Sequence, residues 1–128
     1  MPKIKYNSYG DDTLGYLMPI EFDTIPFIPK RAFVVHSVNK DEVRGEHAHI
    51  KTEQLLVCVR GEIEVTILNS KWLEEKTILK EGDTFYIGRV VWGSQKFLTG
   101  NEIMVVFAST PYKIADYITN LEEFKKEN

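Results

Sequence analysis

An all-β sandwich or barrel is the fold class this sequence predicts. Short β-rich runs recur along most of the chain, and turn residues interrupt them at fairly regular spacing. The 128 residues are 43% hydrophobic and 27% charged, which fits one globular domain over 1–128 with a core of its own.

In chain order the expected strands are Leu14 to Glu21, Arg31 to Val38, Gly45 to His49, Gln54 to Arg60, Glu62 to Leu68, Trp72 to Leu79, Asp83 to Ile87, Gln95 to Leu98 and Glu102 to Ala108. Arg60-Gly61, Leu68-Asn69-Ser70, Glu81-Gly82 and Thr99-Gly100-Asn101 supply the turns between them. Pro26 and Pro29 mark an extended, edge-like segment. The period then changes: Tyr117, Ile118, Leu121 and Phe124 recur at helical spacing, predicting a short amphipathic helical segment within Tyr112 to Lys126. No repeat, low-complexity stretch or linker divides the chain.

Composition excludes several classes. A formal charge of -3 offers no basic field for nucleic acid, although a local cluster of Arg and Lys still suits a phosphorylated ligand. There is no apolar run of about 18 residues for a membrane span and no N-terminal segment patterned as a signal peptide. The single cysteine, Cys58, makes no intrachain disulfide and reads as an inert thiol in the apolar run LLVCV. A cytoplasmic protein without a membrane or nucleic-acid partner is the expectation.

The chemistry concentrates in RGEHAHIKTEQ, residues 44 to 54. Residues i and i+2 of a strand share a face, so His47 and His49 point one way and Ala48 the other. Imidazoles titrate near neutrality, and two on one wall can take a proton from one atom and return one to another. The same histidines with Glu53 are also metal-ligand types. The plainest alternative is a polar cluster in the core, satisfied by its own hydrogen bonds.

The spacing of His47, His49 and Glu53, followed by a strand to Gly61, resembles the first motif of the cupin superfamily. Aligning its second motif on Gly82 puts Gly93 where a histidine ligand belongs, so the fourth ligand is missing. Across Asp12 to Glu21, IPFIPKR at 25 to 31, RGEHAH at 44 to 49, EQLLVCVRGEIEV at 53 to 65, VVW at 90 to 92 and ASTPYKIADYITNLEEF at 108 to 124, the chain resembles the sugar 3,4-ketoisomerases of the WxcM-like cupin family.

That resemblance implies a small cupin jelly-roll barrel acting as a homodimer without metal or other cofactor. Its substrate is a dTDP-linked 4-keto-6-deoxyhexose, whose carbonyl moves from C4 to C3 ahead of transamination to a 3-amino sugar. The C4 carbonyl acidifies the C3 hydrogen, so a base, an enediol and a returned proton suffice. His49 and His47 are the expected proton carriers, Arg44 the group that orients or stabilises the enediolate, and Glu53 the acceptor that fixes a histidine tautomer.

Binding roles fall to Arg31 and Arg44 for the pyrophosphate, with Lys51, Arg60 and Arg89 as further cations at the surface. Phe33 and Trp92 are candidates to stack on the base or sugar, and His36 is a candidate third polar group. The family commonly carries tyrosines in the strand after Lys-Arg, where this chain has Phe33, Val34 and His36. It also has Leu14 where arginine is common and Gly93 where a histidine tends to follow the Trp. A metal-dependent cupin using His47, His49 and Glu53, and a non-catalytic sugar-nucleotide binder, are the competing functions. The N-terminal stretch, with prolines at 19, 26 and 29, is expected to cover a neighbouring subunit's sheet edge.

Overall fold

The computed structural model describes residues 3–69 and 71–127. They form two antiparallel five-stranded sheets that share one core. The first sheet runs in the order β1 (Lys3–Ile4), β9 (Thr84–Ile87), β6 (Gln54–Arg60), β11 (Ile103–Ala108), β4 (Arg31–His36). The second runs β12 (Tyr117–Ile118), β5 (Val43–His49), β10 (Gly93–Phe97), β7 (Ile63–Leu68), β8 (Glu74–Leu79). From β4 to β11 the chain changes sheet at every connection except the β7–β8 hairpin, which is the jelly-roll path of the expected cupin fold. The sheets pack as a sandwich and no strand pair closes them into a ring among the described residues.

The period of two sets which side chains meet between the sheets. Met104, Val106 and Ala108 of β11 point inward from the first sheet, and Gln95 and Phe97 of β10 from the second. Phe97 is completely buried, a burial worth about 1.5–3 kcal/mol. Strand β6 is buried on both faces. Its outward Leu55 and Val57 lie beneath the N-terminal segment, where Met18 and Ile20 share a cavity wall with Val57 and Val105, and Phe22 meets the Phe107 ring edge-on at 5.7 Å.

The turn after β6 requires Gly61. Its φ is +82°, and a Cβ there would lie 2.6 Å from the Glu102 carboxylate. That carboxylate is buried and accepts the backbone N–H groups of Glu62, Thr99 and Gly100 at 3.0, 2.9 and 2.9 Å, pinning two turns together.

The expected strand from Leu14 to Glu21 is shorter and differently placed. Asp11 Oδ1 accepts the N–H groups of Thr13 and Leu14, turning the chain so that β2 (Tyr9–Asp11) pairs with β3 (Gly15–Leu17); a 3-10 turn follows at Phe22–Thr24. Asn69 similarly accepts the N–H groups of Lys71 and Leu73, delaying β8 to Glu74; Ser70 of that expected turn lies outside the described residues. The C-terminal segment divides too. A 3-10 turn at Ile114–Asp116 leads into β12, and the helix α1 occupies only Leu121–Glu127. Asn120 caps it, its side-chain oxygen accepting the Glu123 N–H at 3.0 Å. No helix is long and apolar enough to cross a membrane among the described residues.

Candidate active site

The jelly roll leaves a cavity of about 190 Å³ between its sheets, bounded by β4, β5, β6, β10, β11 and β12. Apolar walls come from Phe33, Val35, Leu56, Met104 and Val106. The polar lining is Arg44, His47, Gln54, Gln95 and Tyr117.

Arg44 reaches this lining through an irregularity. Simple alternation would send residues 44 and 47 to opposite faces of β5. Instead β10 pairs Gly93 with His47 and Ser94 with Gly45, so Glu46 is the extra residue of a β-bulge. Glu46 and Gly45 take φ of +59° and +88°, and Arg44 lands opposite the inward Gln95. Gly45 is also required by space: a Cβ would sit 3.1 Å from Gln95 Oε1 and from the Gly93 carbonyl.

Beyond the bulge, alternation resumes. Ala48 faces out under α1, with Ile118 and Phe124, while His47 and His49 face in. Their rings meet edge-on at 4.7 Å, and Tyr117, paired with His49 across β12, lies 4.9 Å from His47 and 4.4 Å from His49. His47 is half-buried at the cavity wall; His49 is only 4% exposed and stands behind it. Burial pushes the His49 pKa down to about 4, with the His47 charge acting the same way, the Asp116 carboxylate opposing and Arg31 adding to the depression. Burial also lowers His47, against a hydrogen bond to the Gly45 backbone. Both shifts favour the neutral imidazole, the form that keeps a ring lone pair free. The His49 Nε2 is buried without a hydrogen-bond partner.

Asp116 locks Tyr117 into place. Its carboxylate accepts the Lys51 N–H at 2.7 Å and the Thr52 hydroxyl, and its carbonyl accepts the Ile50 N–H at 2.9 Å. Val90 N–H donates to the His49 carbonyl at 2.7 Å. The backbone around the histidine pair is thus tied on two sides.

Arg31 faces inward from β4, level with Ala108, and its guanidinium lies 5.4 Å from the Phe33 ring centroid and 5.7 Å from that of Tyr112. Its Nε is buried and unpartnered.

Several expected site residues lie elsewhere. Glu53 does not reach either histidine; it accepts the Tyr86 hydroxyl at 2.5 Å, and with burial it helps push that phenol up to about 12. His47, His49 and Glu53 thus do not converge as a ligand set, and no three His, Cys, Asp or Glu side chains do so among the described residues. His36 is exposed on the outer face of β4, against Ser37 Oγ at 2.8 Å. Trp92 packs on Phe124 at 5.6 Å beneath α1, because it shares the outer face with Ala48. Lys51 is exposed beside Thr110 and Lys113, outside the cavity. On β4 it is Phe33 and Val35, not Val34 or His36, that occupy the inward positions. Gly93 stands opposite His47 with Ile67 and Ile87 at its face, so that place is filled by aliphatic side chains.

Three polar lining residues were missed by sequence reasoning. Gln54 had a signal, since it is a polar residue opening the otherwise apolar run QLLVCV, with the inward Leu56 two residues on; Gln95 had only its alternation with the buried Phe97, in a strand that also carries Ser94 and Lys96. Tyr117 had none, because its role depends on a cross-strand pairing 68 residues from His49 in sequence.

The sequence profile of the family described as "FdtA: WxcM-like, C-terminal" matches residues 1–128. A TDP-4-oxo-6-deoxy-alpha-D-glucose-3,4-oxoisomerase of Aneurinibacillus thermoaerophilus is 35% identical over 116 residues, covering 90% of this chain and 84% of that one. The crystal structure of QdtA, a sugar 3,4-ketoisomerase from Thermoanaerobacterium thermosaccharolyticum in complex with TDP, superposes with a TM-score of 0.90 at 33% identity, covering 98% of this chain and 91% of that one. A histidine variant of QdtA in complex with TDP-4-keto-6-deoxyglucose gives 0.90 at 32% identity with the same coverage.

Proposed function

From this chain's membership of the WxcM-like, C-terminal family, we propose that it is a dTDP-4-keto-6-deoxy-D-glucose 3,4-ketoisomerase. The observation that carries the reading is the pair of neutral, inward imidazoles, His47 and His49, beside a cavity whose wall also holds Arg44. Neutral imidazole is the form that can remove the C3 proton, which the C4 carbonyl acidifies. Electrons then move to the C4 oxygen, and Arg44 stabilises that enediolate as its charge develops. The C3 hydroxyl proton passes to the C4 oxygen, a proton arrives at C4, and the carbonyl re-forms at C3. The electron balance closes within the sugar, so the chain's own proton carriers suffice. Gln54 and Gln95 offer amides to the sugar hydroxyls, and Phe33 an apolar face.

The unpartnered Arg31 Nε supports the nucleotide half of the substrate, because a buried cationic donor gains most from a diphosphate oxygen. The 3-keto product suits transamination to a 3-amino-3,6-dideoxyhexose for a surface glycan or a secondary metabolite, within the cytoplasm. A homodimer is supported by the β2–β3 hairpin, which leaves Leu14, Tyr16 and Leu17 at 88%, 64% and 64% exposure, and by the open edge of β4.

An NMR time course of dTDP-4-keto-6-deoxyglucose in deuterated buffer containing EDTA tests the activity. A 3-keto product with deuterium at C4 is expected, and its C4 configuration is read from the same spectrum. Tight TDP binding with no turnover and no C3 exchange would make the protein a binding module instead.

A further inference from the structure

The isomerisation needs a group that takes the C3 proton and a group that delivers one to C4. Among the described residues lining the cavity, only His47 and Tyr117 carry a ring nitrogen or hydroxyl suited to proton transfer. Arg44 stays charged, and Gln54 and Gln95 carry amides. His49 stands behind these two, 4% exposed, its ring against both. Tyr117 is also the sole hydroxyl-bearing side chain among the described lining residues. The strand where the resemblance leads one to look for tyrosines offers the cavity only Phe33 and Val35.

We infer that Tyr117 is the second catalytic residue of this site, its phenol delivering the proton to C4 while the histidine pair takes the proton from C3. The inference rests on the ketoisomerase reading. In the step it adds, the C3 oxyanion of the enediol collapses to the ketone, the C3–C4 double-bond pair takes the phenolic proton, and a C4–H bond forms. The tyrosinate left behind recovers a proton from the imidazolium formed in the first step, 4.4–4.9 Å away between ring centroids. Every group ends in its starting state, and no oxidant or reductant is consumed.

The surroundings fit a fixed donor. Tyr117 follows Asp116, whose carboxylate is held by the Lys51 N–H and the Thr52 hydroxyl, and Tyr117 itself is in register with His49. The Tyr112 ring flanks it at 5.8 Å. A phenol held this way costs little reorganisation at the moment of transfer.

Tyr117→Phe removes only the oxygen, and the test follows two signals by NMR in deuterated buffer. Isomerisation is expected to fall by about 10²–10⁴-fold, the usual contribution of a positioned acid, while the C3 hydrogen still exchanges with solvent and TDP affinity is unchanged. Tyr117→His restores an ionisable donor and recovers part of the isomerisation, with a new limb in its pH profile near the imidazole range. An unchanged rate in Tyr117→Phe overturns the inference. Parallel loss of exchange and isomerisation with TDP still bound also overturns it, since Tyr117 would then be positioning the base. If Tyr117→Phe does not fold, the Tyr117→His profile decides: a profile like the wild type's counts against proton donation. A wild type that binds TDP but shows neither exchange nor product sinks the ketoisomerase reading itself, and this inference with it.

Discussion

Arg44 and His47 lie three residues apart on β5 yet line one cavity, because Glu46 is looped out of the ladder between them. The bulge favours Gly45, whose φ of +88° and crowded Cβ position strain any other residue. Gly45→Ala is expected to cost about 1–3 kcal/mol in stability and to lower kcat/KM by turning Arg44 from the cavity. Chemical unfolding and steady-state rates measure the two effects. Adding Gln95→Ala clears one contact at 3.1 Å but leaves the backbone strain, so stability recovers only in part.

Arg31 presents a buried Nε with no partner while Phe33 and Tyr112 flank its guanidinium. Arg31→Lys keeps the charge but loses that donor and the planar group that stacks. TDP affinity by calorimetry is expected to drop about 10-fold or more, the equivalent of roughly 1.4 kcal/mol. Equal binding by the two proteins would remove Arg31 from the diphosphate.

His49 makes stability fall in acid. Its pKa drops from an ordinary 6.5 to about 4 on folding, so between those values the unfolded chain binds a proton that the folded chain refuses. Its contribution is whole above about 6.5 and is lost as pH falls toward about 4, with a slope of up to about 1.4 kcal/mol per pH unit. His49→Asn is expected to flatten the unfolding free energy across that window. A mutant slope as steep as that of the parent would assign the effect to other groups.

How much of this was legible in the sequence follows from which signals are local. Strands such as Gln54–Arg60 carry their own β-branched and aliphatic runs, and that strand's expected bounds are those found. The shared face of His47 and His49 follows from alternation alone. Arg44 was assigned to the site, but its route there depends on a bulge that pairing with β10 defines. The same limit applies to the C-terminal segment. Tyr117 and Ile118 fit a helical period, yet β5 recruits them as an edge strand, which both shortens the helix and brings a phenol to the histidines. Glu53 has the spacing of a metal ligand, but the strand that starts at Gln54 sends Gln54 inward and leaves Glu53 to Tyr86.

Glu102 tests the fold apart from the chemistry, since it sits by the Arg60 end of β6 and the cavity by the Gln54 end. Its carboxylate is 1% exposed and takes three backbone N–H groups and the Thr99 hydroxyl. Burial pushes its pKa up, but those hydrogen bonds outweigh it and hold the group below the usual carboxylate value of 4.5. The stability it contributes is therefore present above that value and lost as pH falls through its folded pKa. Glu102→Gln puts an NH₂ where one oxygen accepted, so at least one buried N–H loses its partner at a cost of about 1–3 kcal/mol. The unfolding free energy is expected to fall by that amount, with a lower melting temperature, while kcat at moderate temperature stays within about twofold, given sites that act independently at this separation. A large loss of kcat with unchanged melting would instead tie these turns to the cavity.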